Sequence, residues 1–128
     1  MYIMGNRILI VDDNQQFLLM LQEFLADYNG VNVVGAAVSG QEALSLIEIT
    51  APDMMIVDLW MPDMSGLDLT QAVKGRWPNM PTIVLTLSES AAHRQAAFEA
   101  GADAFVGKSR MDAELMPAIQ RLMTIQQA

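Results

Sequence analysis

The sequence predicts a single α/β domain, a five-stranded parallel sheet with helices on both faces. Three observations carry this. Short apolar runs alternate with stretches of helical spacing along the chain. Runs such as Met54-Met55-Ile56-Val57 and Ile83-Val84-Leu85 lack strict alternation, as strands covered on both sides do. Four runs end on reactive polar residues: Ile8-Leu9-Ile10-Val11 on Asp12-Asp13, the Met54 run on Asp58, the Ile83 run on Thr86, and Ala104-Phe105-Val106 on Gly107-Lys108. Parallel strands would collect those ends along one sheet edge, where open α/β sheets bind ligands.

Each element has its own signal. After Asp13, the residues Phe17, Leu18, Leu21, Phe24, Leu25 and Tyr28 recur at helical spacing, and Asn29-Gly30 stops the helix. Residues 31–38 read as an extended, β-branched segment. Ser39 caps the next helix with Glu42 as capping-box partner, and Ala43, Leu44, Leu46 and Ile47 form its buried side. Ala51-Pro52-Asp53 ends that helix ahead of the third strand. The loop over 59–66 leads into a helix carrying Leu67, Leu69, Ala72 and Val73, and Trp77-Pro78-Asn79-Met80-Pro81 turns into the fourth strand.

Residues 88–100 are Ala-rich and helical, closing at Gly101, which suits a left-handed cap. A short strand follows, then a last helix from about 111 toward 125. Its core stripe is Leu115, Ala118, Ile119, Leu122 and Ile125. Met111, Met116 and Met123 widen that stripe, as core filler in the first instance and as a homodimer or partner surface in the second. Pro117 predicts a kink or a late helix start. Strands joined through single helices are βαβ units with right-handed crossovers, giving a flavodoxin-like three-layer sandwich of strand order 2-1-3-4-5. With no second domain, repeat or linker, residues 1–128 read as one domain with its core at about 7–125.

Composition excludes several function classes. The chain has 128 residues, enough for one cored domain, and its 52% apolar fraction argues against disorder. No apolar run approaches a membrane span, and the amino terminus lacks the layout of a secretion signal, so the expected place is the cytoplasm. Zero cysteines rule out disulfides and thiolate zinc sites. A formal charge of −8 leaves no basic stripe, so this chain alone is not expected to bind nucleic acid.

Taken singly, the polar strand ends have plain structural readings. Asp12-Asp13 suits helix capping, Asp58 a turn, Thr86 a β-branched strand position and Lys108 a solvated charge. Together they are harder to set aside. Carboxylates gathered a few ångströms apart repel by on the order of several kcal/mol at intermediate dielectric, so a cation belongs among them. Oxygen donors without cysteine suit a hard ion such as Mg²⁺, with Mn²⁺ as an alternative. A metal, a lysine and a hydroxyl around a free carboxylate can accept a phosphoryl group: Asp58 as nucleophile, the metal and Lys108 neutralising charge, and Thr86 donating to a phosphoryl oxygen.

At these residues the chain resembles the receiver domain of a bacterial two-component response regulator. The motifs are Ile8-Leu9-Ile10-Val11-Asp12-Asp13-Asn14, Asp58-Leu59-Trp60-Met61-Pro62-Asp63-Met64-Ser65-Gly66, Val84-Leu85-Thr86, and Gly101-Ala102-Asp103-Ala104-Phe105-Val106-Gly107-Lys108. The resemblance implies that Asp58 receives a phosphoryl group from a histidine kinase or phosphotransfer protein. It further implies Mg²⁺ held by Asp13, Asp58 and the Trp60 main-chain carbonyl, with Asp12 acting mainly through metal-bound water. Lys108 would pair with the phosphoryl group, and Thr86 and Phe105 would form the switch pair. Phosphorylation would draw the Thr86 hydroxyl inward and vacate space for the Phe105 ring, changing the surface of the last helices and strand. Such a domain is a signalling phosphoacceptor that assists its own phosphorylation and dephosphorylation, not an enzyme acting on an external substrate.

Some positions depart from the family's commoner pattern. Ser109 follows Lys108 where proline and a cis bond are frequent; Ser109 is read instead as the start of a helix cap with Asp112. Leu87 stands where many relatives are small, and its bulk narrows access to Asp58. His93 is read as a surface residue, Asp63, Asp68 and Asp103 as turn or cap residues, and Trp60 and Trp77 as local packing, with Trp60 placed to report metal binding. Two other classes are set against the receiver. A haloacid-dehalogenase-like phosphohydrolase would carry an aspartate two residues after the nucleophile, where Trp60 stands, and an unphosphorylated interaction module would have no need of the acidic, hydroxyl and lysine set. The pattern is also similar to receivers that precede helix-turn-helix DNA-binding outputs, and the chain reads as a stand-alone receiver or the first part of a longer regulator.

Overall fold

The computed structural model describes the backbone of residues 6–127 and side chains as far as residue 123. Five strands alternate with five helices: β1 Arg7–Val11, α1 Gln15–Ala26, β2 Asn32–Ala37, α2 Gly40–Thr50, β3 Met54–Val57, α3 Gly66–Arg76, β4 Thr82–Thr86, α4 Ala91–Ala100, β5 Ala104–Gly107 and α5 Met111–Gln127. All strands are parallel, in the order β2-β1-β3-β4-β5. This is the flavodoxin-like sandwich expected from the alternating runs.

Why the runs lack alternation is visible in the core. Ile8, Ile10 and Ile56 face a cluster shared with Leu18, Leu21 and Leu25 of α1 and Leu115, Ile119 and Leu122 of α5. Leu9, Val11 and Val57 face the opposite cluster, with Ala43 and Ile47 of α2, Leu69 and Val73 of α3 and Ala97 of α4. Successive strand residues therefore both need to be apolar, because both faces are covered. Met116 and Met123 are buried in the first cluster, which favours core filling over a methionine-rich docking face. Ile125, placed in the same stripe from the sequence, lies outside the residues whose side chains are described.

One device opens four of the helices. Asn14, Ser39, Ser65 and Ser90 each sit in extended conformation and accept the N–H three residues on, from Phe17, Glu42, Asp68 and His93. The cap of α1 is thus Asn14 rather than the Asp12-Asp13 pair. Glu42 reaches back as expected, but accepts from Val38 N at 2.9 Å, one residue before the cap. Helix α4 begins at Ala91, three residues later than the apolar pattern suggests, because Ser90 claims the capping position. Gly101 closes it at φ 113, and Ala51 closes α2 at φ 47.

The last helix excludes a late start, one of the two outcomes expected of Pro117, and takes Ser109 out of the capping role. A 3₁₀ turn over Lys108–Arg110 feeds straight into α5, which runs through Pro117 without a late start. Ser109 lies inside that turn, and its hydroxyl donates to Glu89 Oε2 at 2.6 Å instead of capping α5. There is no cis peptide bond among the described residues, so Lys108–Ser109 is trans.

Candidate functional site

Register places the polar strand ends side by side. Val11 pairs with Val57, Val57 with Val84, and Thr86 with Gly107, so Asp12, Asp58, Thr86 and Lys108 emerge along one edge of the sheet. Asp12 is 2% exposed and Asp58 7% exposed, while Asp13 turns outward. Carboxylate oxygens of Asp12, Asp13 and Asp58 all lie within 4.8 Å of one another.

Asp12 is well partnered. Its Oδ1 accepts from Asn14 N at 2.9 Å and its Oδ2 from Lys108 Nζ at 2.7 Å. Asp58 is not. Its Oδ1 is buried with no hydrogen-bond partner among the described residues, and Lys108 Nζ stands 4.0 Å from its Oδ2. Burial pushes the Asp58 carboxyl above its ordinary value, against the opposing pull of the Thr86 hydroxyl and the Lys108 charge, while Asp12 adds a further upward push. An under-partnered carboxylate next to two others has the chemistry of a hard-cation site, since an ion with oxygen preference supplies the missing contacts.

The Lys108 ammonium also lies 3.9 Å from the centre of the Phe17 ring, a partner the sequence reading assigned only to helix packing. Thr86 is fully buried, and its Oγ1 accepts from Ser88 N at 3.2 Å. Phe105 is 8% exposed, and its ring lies in the cluster with Val84 and Ala97.

The loop from Asp58 to α3 doubles back on itself. Gly66 N donates to Leu59 O at 2.7 Å, and a Cβ at Gly66 would stand 2.0 Å from the Asp58 carbonyl oxygen, so only glycine fits there. Trp60 is 54% exposed at the rim, and its ring meets His93 edge-on at 5.4 Å. His93 is therefore more than a surface residue: half-buried, it also bonds the Ser88 hydroxyl through Nδ1. Leu87, expected to crowd Asp58, is 76% exposed and turned to solvent.

The three lone aspartates have structural places, two of them with side-chain partners. Asp103 accepts from Thr82 N at 2.8 Å and pairs with Lys74 at 2.6 Å, and Asp68 lies in the first turn of α3. Asp63 accepts from both Gly40 N and Gln41 N at 2.9 Å, a link across 23 residues that no local spacing announces.

An α/β sandwich with three carboxylates, a hydroxyl and a lysine at its carboxyl edge defines a class, and the match confirms it. The response regulator receiver domain family matches residues 8–120, and the chain belongs to it. The response regulator MprA of Mycobacterium tuberculosis is 34% identical over 120 residues, 94% of this chain and 51% of that protein. A two-component response regulator of the LuxR family from Aurantimonas sp. superposes with a TM-score of 0.88 at 30% identity, over 92% of this chain and 84% of the other. A CheY-like receiver domain protein from Methanospirillum hungatei gives a TM-score of 0.85 at 30% identity, over 95% and 96%. The chain spans about half the length of the curated relatives it matches. No described helix is long and apolar enough to cross a membrane.

Proposed function

We propose that residues 1–128 form one receiver domain in which Asp58 takes a phosphoryl group from the phosphohistidine of a sensor kinase or phosphotransfer protein. The observation that carries this is the unpartnered, buried Asp58 Oδ1 beside a lysine and two further carboxylates. Asp12, Asp13, Asp58 and the Trp60 main-chain carbonyl would hold Mg²⁺, with Mn²⁺ also suited to the donor set. When bound, the ion screens the carboxylates from one another and from the incoming phosphoryl oxygens.

The chain's own groups do the rest. An Asp58 oxygen attacks phosphorus, the P–N bond to the donor histidine breaks, and a P–O bond forms. The Thr86 hydroxyl donates to one phosphoryl oxygen, and Lys108, anchored on Asp12, pairs with another. Holding Thr86 over the site favours the packing in which Phe105 is buried, so phosphorylation shifts a population rather than building a new shape. The domain thereby acts as a switch for an output or partner, with no turnover of an external substrate. Its acidity argues that this segment does not itself contact nucleic acid.

Intact mass spectrometry after incubation with Mg²⁺ and acetyl phosphate tests the reading. The folded chain gains one phosphoryl group, and Asp58→Asn gains none. Absence of any gain in folded, metal-loaded protein overturns it.

A further inference from the structure

Asp63 occupies the middle of the loop between Asp58 and α3, yet its hydrogen bonds go to a different helix. Ser39 Oγ accepts from Glu42 N, and the carboxylate of Asp63 accepts from the two donors that remain at the start of α2, Gly40 N and Gln41 N. The neighbouring Met64 packs on the same spot: a Cβ at Gly40 would stand 2.3 Å from Met64 Cγ. The loop is therefore tied at three places. Asp58 N donates to Val11 O, Gly66 N donates to Leu59 O, and Asp63 grips α2. Trp60 lies between the first and last of these ties.

We propose that Asp63 is a positioning residue, tethering the 59–66 loop to the start of α2 so that the Trp60 main-chain carbonyl is held for Mg²⁺. The inference rests on the carboxylate cluster being a Mg²⁺ site. Without the tether the loop keeps its two ends, but its middle is free to move away from the carboxylates. The two N–H donors also hold the Asp63 carboxyl below its ordinary value, so the tether is charged at neutral pH.

Isothermal calorimetry of Mg²⁺ binding to the folded chain, together with amide hydrogen exchange, separates this from plain helix capping. Three variants are compared with the parent. Asp63→Asn retains one acceptor oxygen and loses the charge. Asp63→Glu retains both oxygens and the charge but lengthens the tether by one methylene. Ser39→Ala removes a different cap of the same helix and leaves the loop tied.

Asp63→Asn weakens Mg²⁺ binding about tenfold, the lower end of the effect expected when a group supporting a metal ligand is lost. Asp63→Glu weakens it by a smaller factor, and serves for the comparison if Asp63→Asn does not fold. Ser39→Ala lowers the unfolding midpoint and leaves Mg²⁺ affinity unchanged. Exchange at the Gly40 and Gln41 amides speeds up in Asp63→Asn alone. Equal Mg²⁺ affinity in the parent and both Asp63 variants overturns the positioning role and leaves the metal site standing. A parent chain that binds no Mg²⁺ overturns both.

Discussion

Lys108 Nζ lies 2.7 Å from Asp12 Oδ2 and 4.0 Å from Asp58 Oδ2, so the ammonium is committed to one carboxylate and only reaches toward the other. The pair joins β1 to β5 across the ends of the two strands between them. Both side chains are nearly dry. Removing one partner of such a pair leaves the other buried and unpaired, which costs more than the pair's net worth. Lys108→Ala is therefore expected to destabilise the metal-free domain by about 3 kcal/mol. Saturating Mg²⁺ then recovers more of the thermal midpoint in the variant than in the parent, because the ion replaces the lost counter-charge. A midpoint unmoved by the substitution would show that Asp12 finds its charge balance elsewhere.

Asp58 works against the metal-free fold. Its carboxyl is raised above 3.8, chiefly by burial, so the folded state holds the proton more tightly than the unfolded chain does. The penalty is absent below 3.8 and grows as pH rises through the folded-state value. Asp58→Asn removes it. Without metal, above the folded-state value, the variant melts higher than the parent. The advantage disappears in acid, as paired melting curves across the pH range will show.

Asp63 has the opposite sign. Its carboxyl is lowered, first by Gly40 N–H and then by Gln41 N–H, so its contribution is fully present above the ordinary 3.8 and is lost as pH falls through the folded-state value. The stability gap between the parent and Asp63→Asn is accordingly constant near neutrality and closes below pH 3.8. Urea titrations at several pH values measure it. A gap that persists in acid would mean that the carboxylate charge plays no part.

Pro117 sits on the exposed side of α5, two positions before the fully buried Ile119. Proline in a helix interior lacks the N–H for its i−4 carbonyl and crowds that carbonyl, a handicap of up to ~3 kcal/mol against alanine. The helix continues because Leu115, Ile119 and Leu122 hold it against the sheet. Pro117→Ala is expected to stabilise the domain, raising the urea midpoint with an unchanged denaturant slope. Loss of stability would show that α5 needs its proline.

The sequence alone determined the class of fold and which polar residues end the strands at the sheet edge. Apolar runs this short, alternating with stretches of helical spacing, read as doubly covered strands, and a strand end is a local fact, so Asp12, Asp58, Thr86 and Lys108 could be placed before any coordinates. The caps at Ser39 and Gly101 are local for the same reason: helix termini are satisfied by residues a turn away.

What remained hidden involves partners distant along the chain. Asp63 on the start of α2, Phe17 under Lys108, His93 against Trp60 and Glu89 on Ser109 join segments whose spacing carries no period. Only the tertiary structure decided which of the two carboxylates Lys108 would grip and which oxygen of Asp58 would be left bare. Periodicity decides which face a residue takes, whereas a hydrogen bond or an ion pair is decided within an ångström by how the layers stack.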